Sequence, residues 1–271
     1  MIAFAGNSLL CRAALLHTSI DETSFTTIRL ISGAMMLWLL VQVRRSPQSG
    51  RGNWLSAFAL FVYAAGFSFA YRSLPAAAGA LILFGAVQVT MIAYGLWSGE
   101  RFQKLQLVGL ALAFGGLIGL LLPGLSAPSL SGSALMLSAG VAWGIYSLRG
   151  KGAGDPAKVT AGNFLRAAPI SIALSLIMLN NTTLDAAGFF YAVASGALAS
   201  GIGYAIWYTA LPALKSTNAA TVQLSVPVIA ALGGIIFLGE PITLRLTLAS
   251  IAILGGIALV ILKKTQTNNT Q

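Results

Sequence analysis

Residues 203–212 read GYAIWYTALP, and residues 66–75 read GFSFAYRSLP. Gly66, Tyr71, Leu74 and Pro75 match Gly203, Tyr208, Leu211 and Pro212 at one fixed offset, which also carries Arg29 onto Arg166. Each stretch runs into an apolar segment, then a Gly-Glu (Gly99-Glu100, Gly239-Glu240), then a second apolar segment with paired glycines (Gly115-Gly116, Gly255-Gly256). These later pairs match at an offset three residues larger. The chain reads as two copies of one unit, and a repeat of this length governs the whole fold.

Of the 271 residues, 57% are apolar and 8% are charged, with a mean hydropathy of +0.84. Soluble domains carry about a quarter charged residues. Ten apolar segments follow one another at 1–16, 26–43, 54–71, 76–97, 105–122, 131–149, 160–179, 187–210, 217–238 and 244–262. Each is close to the ~20 residues that cross a hydrocarbon core of ~30 Å. In lipid a segment must satisfy its own backbone hydrogen bonds, which selects helices; barrel strands are shorter and alternate. The expected fold is an all-α integral membrane protein of ten transmembrane helices in two five-helix repeats, 1–122 and 131–264, with a polar tail over 265–271. The first segment is short: either its helix is tilted inside the bundle or, the favoured expectation, ~5–10 further residues precede it to complete the span.

A net charge of +10 in a soluble protein would point to nucleic acid. Here the basic residues cluster at the ends of apolar segments, the pattern of membrane topology, so no nucleic-acid partner is expected. Arg44, Arg45, Arg51, Arg101, Lys104, Arg149, Lys151, Lys158, Lys215, Lys263 and Lys264 fall on one side, and only Arg72 and Arg245 on the other. Both termini are therefore expected to be cytoplasmic, with the chain in the cell's inner membrane. Asp21, Glu22, Asp185 and Glu240 then lie outside. Five is an odd number, so the second repeat enters from the opposite face. Such inverted repeats are shared by many secondary transporters, with a midplane site between the halves. Arg12 interrupts the first segment and no basic leader precedes it, so no cleavable signal peptide is expected. Cys11 is the single cysteine, which leaves no disulfide within the chain.

Gly6-Asn7, Arg29 near the start of the second segment, Gly-Glu after the fourth and ninth, Trp143-Gly144 in the sixth and the small-residue pairs of the fifth and tenth resemble the drug/metabolite transporter superfamily, EamA type. The likeness covers the whole chain. It implies a multi-pass exporter or exchanger of amino acids and other small metabolites, with a cavity mainly between helices 1, 3, 4, 6, 8 and 9. The chain departs from the pattern at Ala5, where an aromatic residue is usual, and in the short start of helix 1.

Polar residues inside spanning helices are costly and often functional. Asn7, Ser8, Gln88, Thr90, Gln223 and Ser225 are such residues, and Tyr63, Trp143, Tyr146, Tyr204, Trp207 and Tyr208 add aromatic surface with polar tips. Asn7, Tyr63, Gln88, Trp143, Tyr146, Tyr204 and Gln223 are the candidates for a substrate site. An amide in a helix can instead bond a neighbouring helix, and a Tyr or Trp can anchor at the interface. Trp38, Trp54 and Trp97 stand near segment ends, as belt residues do.

Arg29 and Glu240 fall at the outer face, Arg166 and Glu100 at the inner one, so each Arg shares a face with the Glu of the other repeat. They are candidates for alternating latches; the plainer reading is snorkelling or helix-end capping. Pro227 is expected to kink helix 9, where the matching position in helix 4 is Val87. Gly115 and Gly119 have the spacing of a helix-packing face, within the protein or between copies.

None of the six acidic residues lies at mid-membrane, which points to uniport or exchange rather than proton antiport. His17 stands at the edge of helix 1. Asn180 and Asn181 fit a common glycosylation pattern. The sequence holds no metal cluster, nucleotide-phosphate loop or nucleophile–base pair, so no cofactor and no enzymatic activity are expected. A small-metabolite transporter with an uncharged aromatic midplane is the leading expectation, amino acids the first substrate class, and a self-sufficient monomer the expected state. A lipid-linked sugar carrier or flippase of the same superfamily is the alternative, with Arg12 or Arg149 at the headgroup level. A nucleotide-sugar carrier would need more cations at depth.

Overall fold

The computed structural model describes residues 1–44, 49–99, 104–122, 124, 127–150, 154–210 and 223–268. Its elements are α1 (Ile2–His17), α2 (Glu22–Arg44), α3 (Trp54–Tyr71), α4 (Ala76–Trp97), α5 (Lys104–Leu121), α6 (Leu130–Arg149), α7 (Pro156–Ile177), α8 (Ala186–Ala210), α9 (Ser225–Leu238) and α10 (Leu244–Asn268). No strand occurs among the described residues. Seven helices are long and apolar enough to cross a membrane: α2, α3, α4, α5, α7, α8 and α10. The helices α1 and α9 are shorter apolar ones.

Helix ends follow side-chain chemistry rather than hydropathy. Asp21 Oδ1 accepts the N–H groups of Thr23 and Ser24, both at 2.9 Å, and Asp155 Oδ1 accepts those of Ala157 and Lys158 at 2.9 and 3.0 Å. These caps satisfy first-turn donors that the helix leaves open. As a result α2 and α7 begin four residues before their apolar runs. Asn53 and Asp185 cap α3 and α8 in the same way. The two Gly-Glu motifs also have a local cause. Gly99 and Gly239 take φ of +93° and +63°, the left-handed turn that ends a helix, and the Glu240 N–H returns to the Gly234 carbonyl at 3.0 Å.

Asp21 does more than cap. Its Oδ2 accepts the Thr183 N–H at 2.9 Å and its own N–H donates to the Thr183 carbonyl, tying the α1–α2 turn to the loop before α8. Burial raises the carboxyl's proton affinity, but the hydrogen bonds from Ser24, Thr183 and Thr23 outweigh it and hold the group below its ordinary range. A depressed carboxyl stabilises the fold above its unfolded-state value, and that stabilisation is lost as pH falls through the folded one. Asp21→Asn is expected to lower stability by about 1 kcal/mol at pH 7. Melting curves should show the gap closing below the ordinary carboxylate range; a gap that is constant with pH would contradict the assignment.

The helix α2 packs on α7 and α8, α3 on α6, α4 on α6 and α9, α1 on α8 and α9, and α5 on α10. Most of α4 is buried inside this bundle, whereas α5 is largely peripheral. The α5–α10 seam is made by small residues. A Cβ at Gly116 would lie 2.8 Å from Ala252 Cβ, and one at Gly256 would lie 2.7 Å from the Ala113 backbone N and collide with the Gly109 carbonyl oxygen. Gly115 and Gly119, the spacing singled out in the sequence, have nothing within 4 Å of an added Cβ. The packing face is the neighbouring set Gly109, Ala113 and Gly116.

Candidate functional site

Tyr63 of α3 is the hub where α1, α2, α6 and α8 meet. Its hydroxyl oxygen accepts Arg29 Nη2 at 2.9 Å and Asn7 Nδ2 at 3.3 Å. Its ring lies 4.7 Å from Trp143, which stacks on Tyr146 at 5.3 Å and meets Tyr204 at 5.0 Å. Phe4 packs edge-on against Tyr204, and Phe164 meets it from α7. These side chains are buried, apart from Phe4, which is partly so. Phe4, Asn7, Ser8, Tyr63, Phe67, Leu83, Phe84, Trp143 and Tyr204 enclose a void of about 20 Å³. That is room for about one water and not for a metabolite. The helices are closed around the centre.

Local backbone places two further groups there. Within α8, residues Ala194–Ile202 are π-helical. Such widened turns are rare and often mark functional positions. Ser195 on this stretch donates to Asn7 Oδ1 at 2.5 Å, and Ser200 accepts Arg29 Nε at 3.3 Å. Gly196 between them lets α8 touch α2: a Cβ there would collide with Ser32 Oγ and the Arg29 carbonyl oxygen. Sequence reading passed over Ser195 and Ser200, because a serine in an apolar run carries no sign of which way it points. The spacing of Gly196 and Gly201 among small residues was the available signal.

Arg29 is 1% exposed, and its guanidinium bonds Tyr63 and Ser200 rather than Glu240. Its guanidinium lies over the rings of Phe67 at 4.7 Å and Tyr63 at 5.2 Å. Aromatic faces and hydroxyls replace the water a snorkelling arginine would seek. The centre of the bundle is therefore aromatic but not uncharged. Arg29 Nη1 and the Tyr204 hydroxyl are buried without a hydrogen-bond partner.

Glu240 is held instead by Arg12 of α1. Nε to Oε1 is 3.0 Å, Oε2 accepts the Ala76 N–H at 2.7 Å, and Arg12 Nη1 donates to the carbonyls of Tyr71 and Arg72 at 3.0 and 3.1 Å. This clasp joins the first and second halves of the chain at one end of the bundle. Arg12→Gln is expected to cost about 2 kcal/mol by leaving a carboxylate without its counter-charge. Thermal melts should recover part of the loss when Glu240→Gln is added; no recovery would mean that the pair is not coupled.

Arg166 is half-buried, and its Nη1 donates to the carbonyls of Arg51 and Gly162 at 2.6 and 2.8 Å. Glu100, its expected partner, lies outside the described residues. Arg149 bonds Ser56 and Asn53. Pro227 is the third residue of α9; Leu224 before that helix keeps right-handed helical angles, and residues 211–222, where the rest of the expected kinked helix falls, lie outside the described residues. Of the candidate site residues, Asn7, Tyr63, Trp143 and Tyr204 come together at the void. Tyr146 stands behind Trp143 and receives Asn163 Nδ2 at 3.4 Å. Gln88 is buried in α4 and Gln223 is half-buried, and neither lines the void.

Comparison with known proteins agrees with this architecture. The EamA-like transporter family matches residues 1–122 and 130–262. An uncharacterized protein of Pseudomonas aeruginosa is 58% identical over 262 residues, 96% of this chain and 91% of its own length. The threonine/homoserine exporter RhtA of Salmonella typhimurium is 31% identical over 169 residues, 60% of this chain and only 56% of the exporter. An uncharacterized transporter of Archaeoglobus fulgidus is 24% identical over 98% of this chain and 96% of its own. A crystal structure at 20% identity superposes with a TM-score of 0.68 over 97% of this chain and 96% of that one, a likeness of fold alone. These findings place the protein among membrane transporters and not among enzymes: the chain belongs to the EamA-like transporter family.

Proposed function

We propose that the protein exports or exchanges small metabolites, amino acids or related amphipathic compounds first among them, by alternating access to the Tyr63–Trp143–Tyr204 centre. The observation that carries this reading is the closed aromatic and amide cluster itself, built by helices from both halves of the chain. Rings and amides of this kind hold an apolar side chain beside a zwitterion. The likeness to a threonine/homoserine exporter supports the substrate class.

Ten crossings in two inverted repeats, 1–122 and 131–264 with the tail 265–271, form the proposed frame. Its support is the packing. Shifting each helix by five places turns α3–α6 into α8–α1, α4–α6 into α9–α1 and α3–α7 into α8–α2, all of which are contacts in the fold. The pairs α2–α7, α4–α9 and α5–α10 map onto themselves, as a pseudo-twofold axis requires. We place both termini in the cytoplasm of a cell whose inner membrane holds the protein, as a monomer. The Arg12–Glu240 clasp then closes the outer end, and Arg166 works at the inner end. Asp21, Glu22, Asp155, Asp185 and Glu240 all stand at helix ends or in turns, which supports movement down a substrate gradient. In proteoliposomes, labelled threonine, homoserine or aromatic amino acids should leave saturably and without an imposed pH gradient. Efflux only with that gradient would reject the facilitator; no efflux would reject the substrate class.

The lipid-linked carrier or flippase stays as a second reading on one observation. An apolar groove of about 380 Å³ between α9 and α10, lined by Pro227, Val228, Leu232, Ile251 and Leu254, adjoins the pocket beside Glu240. Movement of a labelled lipid-linked sugar in the same vesicles would favour it.

A further inference from the structure

We infer that the transported molecule carries a carboxylate, and that Arg29 and Tyr204 bind it. This rests on the central cluster being the transport site. The inference comes from counting donors and acceptors. A guanidinium has five N–H donors, no acceptor and a permanent charge. Arg29 gives Nε to Ser200 and Nη2 to Tyr63, while Nη1 has no partner. Two of the acceptors nearby are engaged: Tyr63 takes two donors, and Asn7 Oδ1 takes Ser195. The hydroxyls of Tyr204 and Ser8 are also buried without a partner, each able to donate as well as accept, and both residues line the void. The centre therefore has donors to spare and a positive charge.

Nothing on the described protein neutralises that charge. Asp21, Glu22, Asp155, Asp185 and Glu240 are at helix ends or in turns, and none bonds Arg29. Cation–π contact with Phe67 and Tyr63 offsets only part of the desolvation of a buried ion. Retaining such a group is costly unless a ligand completes it. A carboxylate brings two acceptor oxygens and one negative charge, matching a guanidinium fork plus a hydroxyl. A dianionic phosphate would call for a second cation, yet Arg12, Arg149 and Arg166 are engaged with Glu240, Ser56 and the Arg51 carbonyl. The rings of Phe4, Phe67 and Trp143 remain for the apolar remainder of the ligand.

The test uses the purified full chain in detergent, titrated by tryptophan fluorescence and by thermal shift. The probes are L-threonine, L-leucine, L-phenylalanine, 4-methylpentanoate and 3-phenylpropanoate, each against its primary amide. At least one acid should bind about tenfold or more tighter than its amide. Arg29→Gln should erase that preference and Arg29→Lys should keep part of it. Tyr204→Phe should weaken the acid about threefold to tenfold while leaving the unliganded melting temperature unchanged or higher, because the lost hydroxyl has no partner. A merely structural hydroxyl would not separate the two readouts. Equal binding of acid and amide, a preference that survives Arg29→Gln, unchanged acid affinity in Tyr204→Phe, or no acid binding at all would each overturn the inference. If the amine-free acids bind with the predicted preference and the amino acids do not, the carboxylate assignment stands and the amino-acid reading falls. If amino acids and their amides bind alike, the outcome is reversed.

Discussion

Gly256→Val is expected to prevent accumulation of folded protein, while Gly255→Val, one residue away, is expected to leave it unchanged. The two glycines are neighbours in sequence, but about 100° separates them around the helix. Gly256 sits where α10 meets the backbone of α5, and a side chain there meets the Gly109 carbonyl oxygen and the Ala113 N–H group. Neither obstacle is a flexible side chain that can turn aside, so the helices must separate. Overpacking against backbone is expected to cost at least about 3 kcal/mol, a large part of a typical folding free energy. Gly255 has nothing within 4 Å of an added Cβ. Size-exclusion profiles and melting of the two variants in detergent decide the matter. Equal behaviour of the pair would show that α5 and α10 do not pack as described.

Tyr63→Phe is the second large effect. It removes one oxygen and leaves two buried donors, Arg29 Nη2 and Asn7 Nδ2, without their acceptor. A buried donor so orphaned costs about 1–3 kcal/mol, more when charged. The Tyr63 hydroxyl ties α1 and α2 to α3 in the closed arrangement. If transport passes through that arrangement, turnover should fall roughly 30- to 1,000-fold, at a factor of ten per 1.4 kcal/mol. The ring itself is kept, so aromatic packing against Trp143 survives and the protein still folds. Tyr94→Phe, half-exposed on α4 and outside the cluster, serves as the control and should transport as the unaltered chain does. Normal rates in Tyr63→Phe would show that the hydroxyl is not part of the working centre.

The helical frame was legible because apolar runs of membrane length and a repeat are strong signals. The burial of Arg29 has a definite cause. Hydropathy starts the second segment at 26, which leaves Arg29 within a turn of the interface. The Asp21 cap starts the helix at Glu22, so Arg29 is one turn deeper, about 10 Å along α2. A capping bond is local chemistry that a hydropathy window averages away. The α5–α10 packing face was hidden for a related reason: adjacent glycines look alike in sequence, and only the neighbouring helix distinguishes Gly116 from Gly115. Asn7, Tyr63, Trp143 and Tyr204 were readable because an amide or aromatic with a polar tip is conspicuous in an apolar run. Ser195 and Ser200 were not, since the π-helical turn that aims them has no signature in the residues themselves.

The most direct measurement is protection of the centre by the substrate. Cys11 is the single cysteine and is fully buried, so Cys11→Ser gives a background for labelling. In that background Leu83→Cys places a thiol on the wall of the void, and Gly115→Cys places one on the outside of α5. Maleimide labelling is followed in proteoliposomes with and without the amino acid that shows saturable efflux. A site at the centre predicts that saturating substrate slows labelling at position 83 several-fold and leaves position 115 unaffected. Undiminished labelling at position 83 while transport is saturated would contradict it, and would move the binding site away from the Tyr63–Trp143–Tyr204 cluster.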